Sequence, residues 1–185
     1  MAERPIADVV RRAIAGDRAA QDAVWREHRR FVAAVLLCHA PPGLDVEDAL
    51  QDVALALVRR IGTLADPAKI RPWLRSIAIR ATASAARRPG VETERLEDAA
   101  ARDARGADDR DEAAVVLRLV EELPVELREP LVLRALRGLS QREIADALGL
   151  AETTIETRLV RARRAVRDAL ARRGRPTATI RETKT

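Results

Sequence analysis

The sequence predicts an all-α fold built as two small helical domains. Three observations carry this. Apolar residues recur at three- and four-residue steps through both halves of the chain, and no stretch sustains the alternation of a half-buried strand. Aromatic residues make up 2% of the 185 residues, with one Phe, two Trp and no Tyr. The cores must therefore come from Ala, Leu, Val and Ile, short aliphatics that suit closely packed helices better than an antiparallel sheet. Finally, residues 91–112 hold almost no large apolar side chain and cannot bury enough surface to offset the entropy of ordering. The expected organisation is a helical domain over residues 1–90, a flexible acidic linker over 91–112, a second helical domain over 113–173 and a basic flexible tail over 174–185.

Element by element, residues 6–38 carry helical periodicity, with Asp17 placed to cap a helix starting near Arg18. Ala23, Val24, His28, Phe31, Val32, Val35 and Leu36 follow on its apolar face. Pro41-Pro42-Gly43 breaks the chain. Asp45 is an N-cap for a helix carrying Ala49, Leu50, Val53, Leu57 and Val58, which ends before Gly62. After a loop at Asp66-Pro67, a third helix runs from about Pro72 to Arg88 and stops at Pro89-Gly90. In the second half, a helix from near Glu112 carries Val115, Val116, Leu119, Val120 and Leu123 up to Pro124. Another carries Leu127, Leu131, Val132 and Leu136 up to Gly138.

Charge is distributed in blocks. Residues 1–90 hold 15 basic and 10 acidic side chains, residues 91–112 hold 4 and 9, and residues 113–185 hold 15 and 10. Arg158 to Arg175 contains eight Arg against one Asp. Arg forks onto phosphates and guanine edges better than Lys does, so this run suggests nucleic acid. Cys38 is the single cysteine, which excludes an internal disulfide, and its apolar neighbours favour core packing over reactivity. Glu3, Arg4 and Asp8 interrupt any opening signal segment, and the longest apolar run, Phe31 to Cys38, is too short to span a bilayer. A soluble cytoplasmic protein without membrane insertion is expected.

The most informative segment is Gly138-Leu139-Ser140-Gln141-Arg142-Glu143-Ile144-Ala145-Asp146-Ala147-Leu148-Gly149-Leu150. Ser140 and Glu143 have capping-box spacing, which fixes where a short helix begins. Ile144 and Leu148 share one face, Ala145 is small where a second helix must cross, and Gly149 permits the positive φ of a tight turn. The next helix, from about Glu152 to Thr154 onward, buries Ile155 and Leu159 and exposes Thr154, Glu156, Thr157, Arg158 and Arg161. In a helix-turn-helix such a second helix enters the major groove, where Arg can bridge guanine O6 and N7 and Glu can accept from cytosine N4. Arg163, Arg164 and Arg167 suit phosphates.

The strings Leu123-Pro124-Val125-Glu126-Leu127-Arg128-Glu129, Leu139-Ser140-Gln141-Arg142-Glu143-Ile144-Ala145 and Arg158-Leu159-Val160-Arg161-Ala162-Arg163-Arg164 together resemble region 4 of bacterial sigma factors. The resemblance implies that this domain reads a minus-thirty-five promoter element through Gln141, Arg142, Thr154, Glu156, Thr157, Arg158, Arg161, Arg163 and Arg164. The stretch Asp45-Val46-Glu47-Asp48-Ala49-Leu50-Gln51-Asp52-Val53 resembles sigma region 2. It implies docking on a coiled coil of core RNA polymerase through Asp45, Asp48, Gln51 and Asp52. Ile70-Arg71-Pro72-Trp73-Leu74-Arg75-Ser76-Ile77-Ala78 is similar to the F-x-x-W-L-x-x-I-A signature of the same region. That match implies contact with the minus-ten element and the melted strand by Ile70, Arg71, Trp73, Arg75, Arg80, Arg87 and Arg88, with Trp73 a core anchor first. The short spacing between the blocks resembles the extracytoplasmic-function group. That group commonly has an anti-sigma factor as an inhibitory partner, and it works without a cofactor or covalent chemistry of its own.

Several positions depart from the family pattern. Ile70 replaces an aromatic, and Ala54 and Val58 stand where Phe and Trp are common. Arg80 replaces Asn, Ser84 replaces Asp, and Glu156 stands where Lys is frequent. The first three bear on strand melting by base stacking, and the others point to an unusual promoter sequence. Two rival functions are a stand-alone helix-turn-helix regulator that needs no polymerase, and an enzyme. For the second, His28, Cys38 and His39 are too few for a zinc site. The cluster Asp45, Glu47, Asp48 and Asp52 lacks the second set of ligands or the base that a metal-dependent nuclease needs.

Overall fold

Helix boundaries follow local capping chemistry closely. In the computed structural model, which describes residues 3–85 and 107–173, every regular element is helical. The first helix, α1, spans Glu3–Ile14. Gly16 turns the chain at φ +95°, and the Asp17 carboxylate accepts from Ala20 N at 3.1 Å, which starts α2, Arg18–His39. The single period seen over residues 6–38 is thus two helices meeting at a glycine. Asp45 accepts from Glu47 N at 2.8 Å and Asp48 N at 3.1 Å, capping α3, Val46–Arg60. Two single 3-10 turns, Ile61–Thr63 and Pro67–Lys69, lead into α4, Ile70–Ala85, two residues earlier than Pro72 suggests. Val24, Phe31, Val35, Val53, Leu57, Leu74 and Ala78 fill the centre of this N-terminal unit.

The C-terminal unit comprises α5, Ala107–Glu121; α6, Val125–Arg137; α7, Gln141–Leu148; and α8, Glu152–Arg173. Helix α5 begins at Ala107, inside the stretch expected to be a flexible linker up to residue 112. Packing of its later turns lets a helix propagate outward into sequence that has no apolar face of its own. Within α6, Pro130 cannot donate to the carbonyl one turn earlier, yet it is buried and the helix continues past it. Leu133, Ile144, Ala145, Ile155, Leu159 and Ala162 form the centre of this unit. The rest of the expected linker, Arg87, Arg88 and the tail at 174–185 lie outside the described residues.

The two units pack on each other, which the sequence did not suggest. Helix α2 runs against α6 and α4 against α7, and the buried apolar side chains of both units form one continuous cluster. Arg128 of α6 spans the junction, donating to the Cys38 carbonyl in the last turn of α2 at 2.7 Å and to the Glu121 carbonyl at the end of α5 at 2.6 Å. It thereby satisfies unpaired carbonyls at the negative ends of two helices. The Cys38 thiol itself is buried, and that burial pushes its pKa up to about 12, leaving an inert packing group.

Candidate nucleic-acid interface

Ser140 and Glu143 position the C-terminal site. The Ser140 hydroxyl accepts from Glu143 N at 3.2 Å, and the Glu143 carboxylate accepts from Ser140 N at 2.9 Å. Both arms of the expected capping box are therefore formed. These hydrogen bonds, with Arg71 nearby, hold the Glu143 carboxyl below its ordinary value. Helix α7 ends at Gly149, φ +69°, with the Leu150 N–H donating back to the Ala145 carbonyl at 3.0 Å. The turn aims α8 so that Ile155 and Leu159 face the core. Glu156, Thr157, Arg161, Arg163, Arg164 and Arg167 are exposed along α8, and Gln141 and Arg142 are exposed at the start of α7. Thr154 and Arg158, expected on the open face, are half-buried because they flank the buried Ile155 and Leu159. The Thr157 hydroxyl donates to the Thr153 carbonyl at 2.9 Å, so its hydrogen is already committed to the helix.

In the N-terminal unit, Asp48, Gln51 and Asp52 are exposed on α3, on one side of the helix by their three- and four-residue steps. Asp45 serves the helix first, since it is the N-cap. Continuing along the same side are Leu55 and Val58, 52% and 57% exposed, two large apolar side chains in water. Sequence reasoning missed Leu55 as a site residue and counted Val58 with the apolar face. The exposure separates them from the fully buried neighbours Val53 and Leu57.

Helix α4 divides its candidates. Ile70 is buried in the core, which removes it from any surface contact with DNA in this conformation. Trp73 is half-buried against the apolar cluster, in keeping with an anchor. Arg80 is exposed and donates to the Ser76 hydroxyl at 3.1 Å. Arg71 and Arg75 are engaged by the C-terminal unit. Arg71 Nη1 lies 3.2 Å from Glu143 Oε1, and Arg75 forks onto Glu129 with bonds of 2.7 and 2.8 Å. Glu129 is buried, and His39 Nε2 stands 3.2 Å from its second oxygen, outside hydrogen-bond geometry. Burial pushes the Glu129 carboxyl up, but the two hydrogen bonds and the charge of Arg75, with His39 close by, outweigh it and hold the group below its ordinary value.

The two halves of this arrangement match two family models. Residues 24–90 match sigma-70 region 2, and residues 113–166 match sigma-70 region 4. Among curated proteins, the chain is 34% identical over 162 residues to the ECF RNA polymerase sigma factor SigM of Mycobacterium tuberculosis, covering 87% of this chain and 82% of that one. The chain belongs to the ECF sigma factors. It is also 27% identical to the ECF RNA polymerase sigma-E factor of Escherichia coli, over 85% of this chain and 90% of the relative. A solved structure of CnrH in complex with the cytosolic domain of CnrY is similar, with a TM-score of 0.64, 27% identity, and coverage of 90% of this chain and 97% of that one. The protein is thus a sigma factor, a transcription initiation factor and not an enzyme family member, with a DNA-binding region 4 of the helix-turn-helix type. No helix among the described residues is long and apolar enough to cross a membrane.

Proposed function

We propose that this sigma factor binds core RNA polymerase, directs it to specific promoters and helps open the DNA, with polymerase supplying all the chemistry. The observation that carries the reading is the pairing, in one chain, of two surfaces. One is the arginine-rich open face of α8 behind a capped helix-turn-helix. The other is the exposed Asp48, Gln51, Asp52, Leu55 and Val58 side of α3. Arg161 and Glu156 would meet base edges in the upstream major groove, and Arg163, Arg164 and Arg167 the flanking phosphates. The α3 side, acidic at its start and apolar further on, suits docking on a polymerase helix pair. Residues of α4, with Trp73, Arg75 and Arg80 foremost, would take up the minus-ten region. Two contacts on one chain raise the effective concentration of the second once the first has formed.

An inhibitory protein partner belongs to the same reading, since the similar CnrH was solved with the cytosolic domain of CnrY. Leu136 and Val160, both more than half exposed on the C-terminal unit, are apolar surface such a partner would cover. The test is run-off transcription with purified bacterial core polymerase on a library of start-site sequences. Discrete new starts that depend on the protein are expected. No stimulation together with no binding to core would sink the polymerase role and leave an ordinary helix-turn-helix regulator.

A further inference from the structure

We propose that Glu156 is a specificity-determining residue that selects cytosine in the upstream promoter element. The inference deepens the assignment of α8 to the major groove and rests on it. On the open side of α8, Glu156 and Thr157 come first, Arg161 follows about a turn later and Arg164 a turn beyond that. All four are exposed, and the buried Ile155, Leu159 and Ala162 lie on the other side. A carboxylate carries no hydrogen to donate. The Thr157 hydroxyl carries one, but gives it to the Thr153 carbonyl at 2.9 Å and keeps only its oxygen for a partner. The start of this side therefore presents hydrogen-bond acceptors, and the arginines beyond it present donors only.

Base edges sort on that division. In the major groove guanine shows two acceptors, N7 and O6, whereas cytosine shows one donor, its N4 amine. Arg161 suits guanine. Glu156 suits cytosine and meets guanine with acceptor against acceptor, so it rejects one base as well as holding the other. Adenine also carries an amine, but sets the acceptor N7 beside it, and thymine offers no donor. Glu156 has no competing partner in the fold. The residues one turn to either side, Glu152, Thr153, Leu159 and Val160, carry no cation, and Glu156 forms no ion pair among the described residues. Asp168, by contrast, sits 3.7 Å from Arg164. An unpaired carboxylate facing DNA weakens binding to every duplex through the phosphates, and a base amine is the donor that offsets this.

Binding-site selection with the full chain tests this. A duplex pool randomised across the upstream element is bound by the chain, alone and with core polymerase present, and the retained sequences are read. The wild type is expected to hold cytosine at one position of the selected motif. Glu156→Lys should turn that position to guanine and Glu156→Gln to adenine, since Lys takes guanine O6 and N7 and Gln takes adenine N6 and N7. Glu156 is exposed, so both variants should keep the melting temperature of the wild type. In anisotropy titrations, exchanging that C·G pair for G·C should weaken the wild type about tenfold, and Glu156→Lys should recover the loss. The added positive charge tightens binding to all duplexes, so the ratio between the two duplexes is the quantity read. A cytosine preference that neither variant moves overturns the proposal, and so does the absence of any cytosine preference. Switching of the base without stimulated transcription supports the cytosine assignment and removes only the polymerase role. Stimulated transcription without switching keeps the polymerase role and overturns the assignment.

Discussion

Arg75 on α4 and Glu129 on α6, 54 residues apart in sequence, face each other through two hydrogen bonds of 2.7 and 2.8 Å, with Glu129 buried and Arg75 partly exposed. Truncating either partner strips the other of its two-pronged partner in a site shielded on the Glu129 side, which costs more than the pair itself contributes. Glu129→Ala is therefore expected to destabilise the chain by about 2 kcal/mol, reduced from the fully buried case because the Arg75 side chain retains some water contact. Arg75→Ala should cost a similar amount, and the double substitution less than the sum, with a coupling of about 1–3 kcal/mol. Urea unfolding of the four proteins in this cycle measures it. Additive costs would show that the two residues do not act as a pair.

His28 gives the stability a second pH dependence. It is buried on α2, its Nε2 finds no hydrogen-bond partner among the described residues, and burial, with the Arg71 charge assisting, pushes its pKa from 6.5 down to about 4. Between those values the unfolded chain takes up a proton that the folded chain refuses, so stability rises with pH across the window. Stability should be level above pH 6.5 and fall as the pH drops toward 4, by up to about 3 kcal/mol. Glu129, Glu143 and Asp17, all held below their ordinary values, work in a lower window. Their stabilisation is complete above about pH 4.5 and is lost only as the pH falls through their depressed folded values. Denaturation midpoints of the wild type and His28→Leu, followed from neutral pH down through the acid range below the carboxylate values, separate the two windows. The substitution should flatten the upper one and leave the lower in place.

Adjacent residues on α3 should behave in opposite ways. Leu57 is fully buried, so Leu57→Ala opens a cavity and should cost about 2–5 kcal/mol, enough to unfold a marginal domain. Leu55 and Val58 are mostly in water, so Leu55→Asp and Val58→Asp should leave the melting temperature nearly unchanged. If α3 docks on polymerase, each should weaken binding to core by about tenfold, since an apolar contact of this size carries roughly 1–3 kcal/mol. Calorimetric melting and a core-binding titration on the same preparations decide between a structural and a docking role.

These contrasts mark what was legible in the chain and what was not. Helix starts and stops were legible because they are local: Asp17, Asp45, the Ser140–Glu143 box and Gly149 each act within a few residues. The two-unit helical fold and the helix-turn-helix followed from those signals and from apolar spacing. The junction between the units was not legible. Glu129 on an amphipathic helix reads as a solvated charge, and nothing near it in sequence announces Arg75 or His39. For the same reason Arg71 and Arg75 read as open DNA-binding groups, whereas the structure holds both. Ile70 and Thr154 were misplaced by a smaller effect. Thr154 adjoins the buried Ile155 and Ile70 is itself a packing residue, and one helical step decides whether a side chain faces core or solvent.

Gly149 offers a test of the turn that needs no DNA. At φ +69° it holds the left-handed backbone that L residues adopt only at a cost, and a Cβ added there would meet no atom within 4 Å. Gly149→Ala should therefore destabilise by about 1–2 kcal/mol through backbone strain alone, without a steric clash. Gly149→Asn should cost less, because Asn tolerates this region better. A larger loss for Asn than for Ala in thermal unfolding would mean that packing, not backbone preference, governs the turn.

The arginines of α8 should divide by function when binding is measured against salt and sequence together. Arg161 lies one turn closer to the start of the helix than Arg164, and both are exposed. Side chains near the start of a recognition helix reach base edges, whereas those further along lie against the backbone as the helix leaves the groove. Arg161→Ala is accordingly expected to cost about 1–3 kcal/mol on the preferred upstream element and much less on unrelated duplexes, so that discrimination between them narrows. Arg164→Ala should weaken all duplexes alike and lower the dependence of log K on log salt by about one unit, the signature of one lost phosphate contact. Arg164 also sits 3.7 Å from Asp168, an exposed pair whose loss contributes little to stability and will not obscure the binding change. Fluorescence anisotropy titrations over a range of salt, on specific and scrambled duplexes, read both quantities at once. If the two substitutions gave the same uniform loss, α8 would be holding only the DNA backbone, and sequence reading would have to come from Gln141, Arg142 or Glu156 instead.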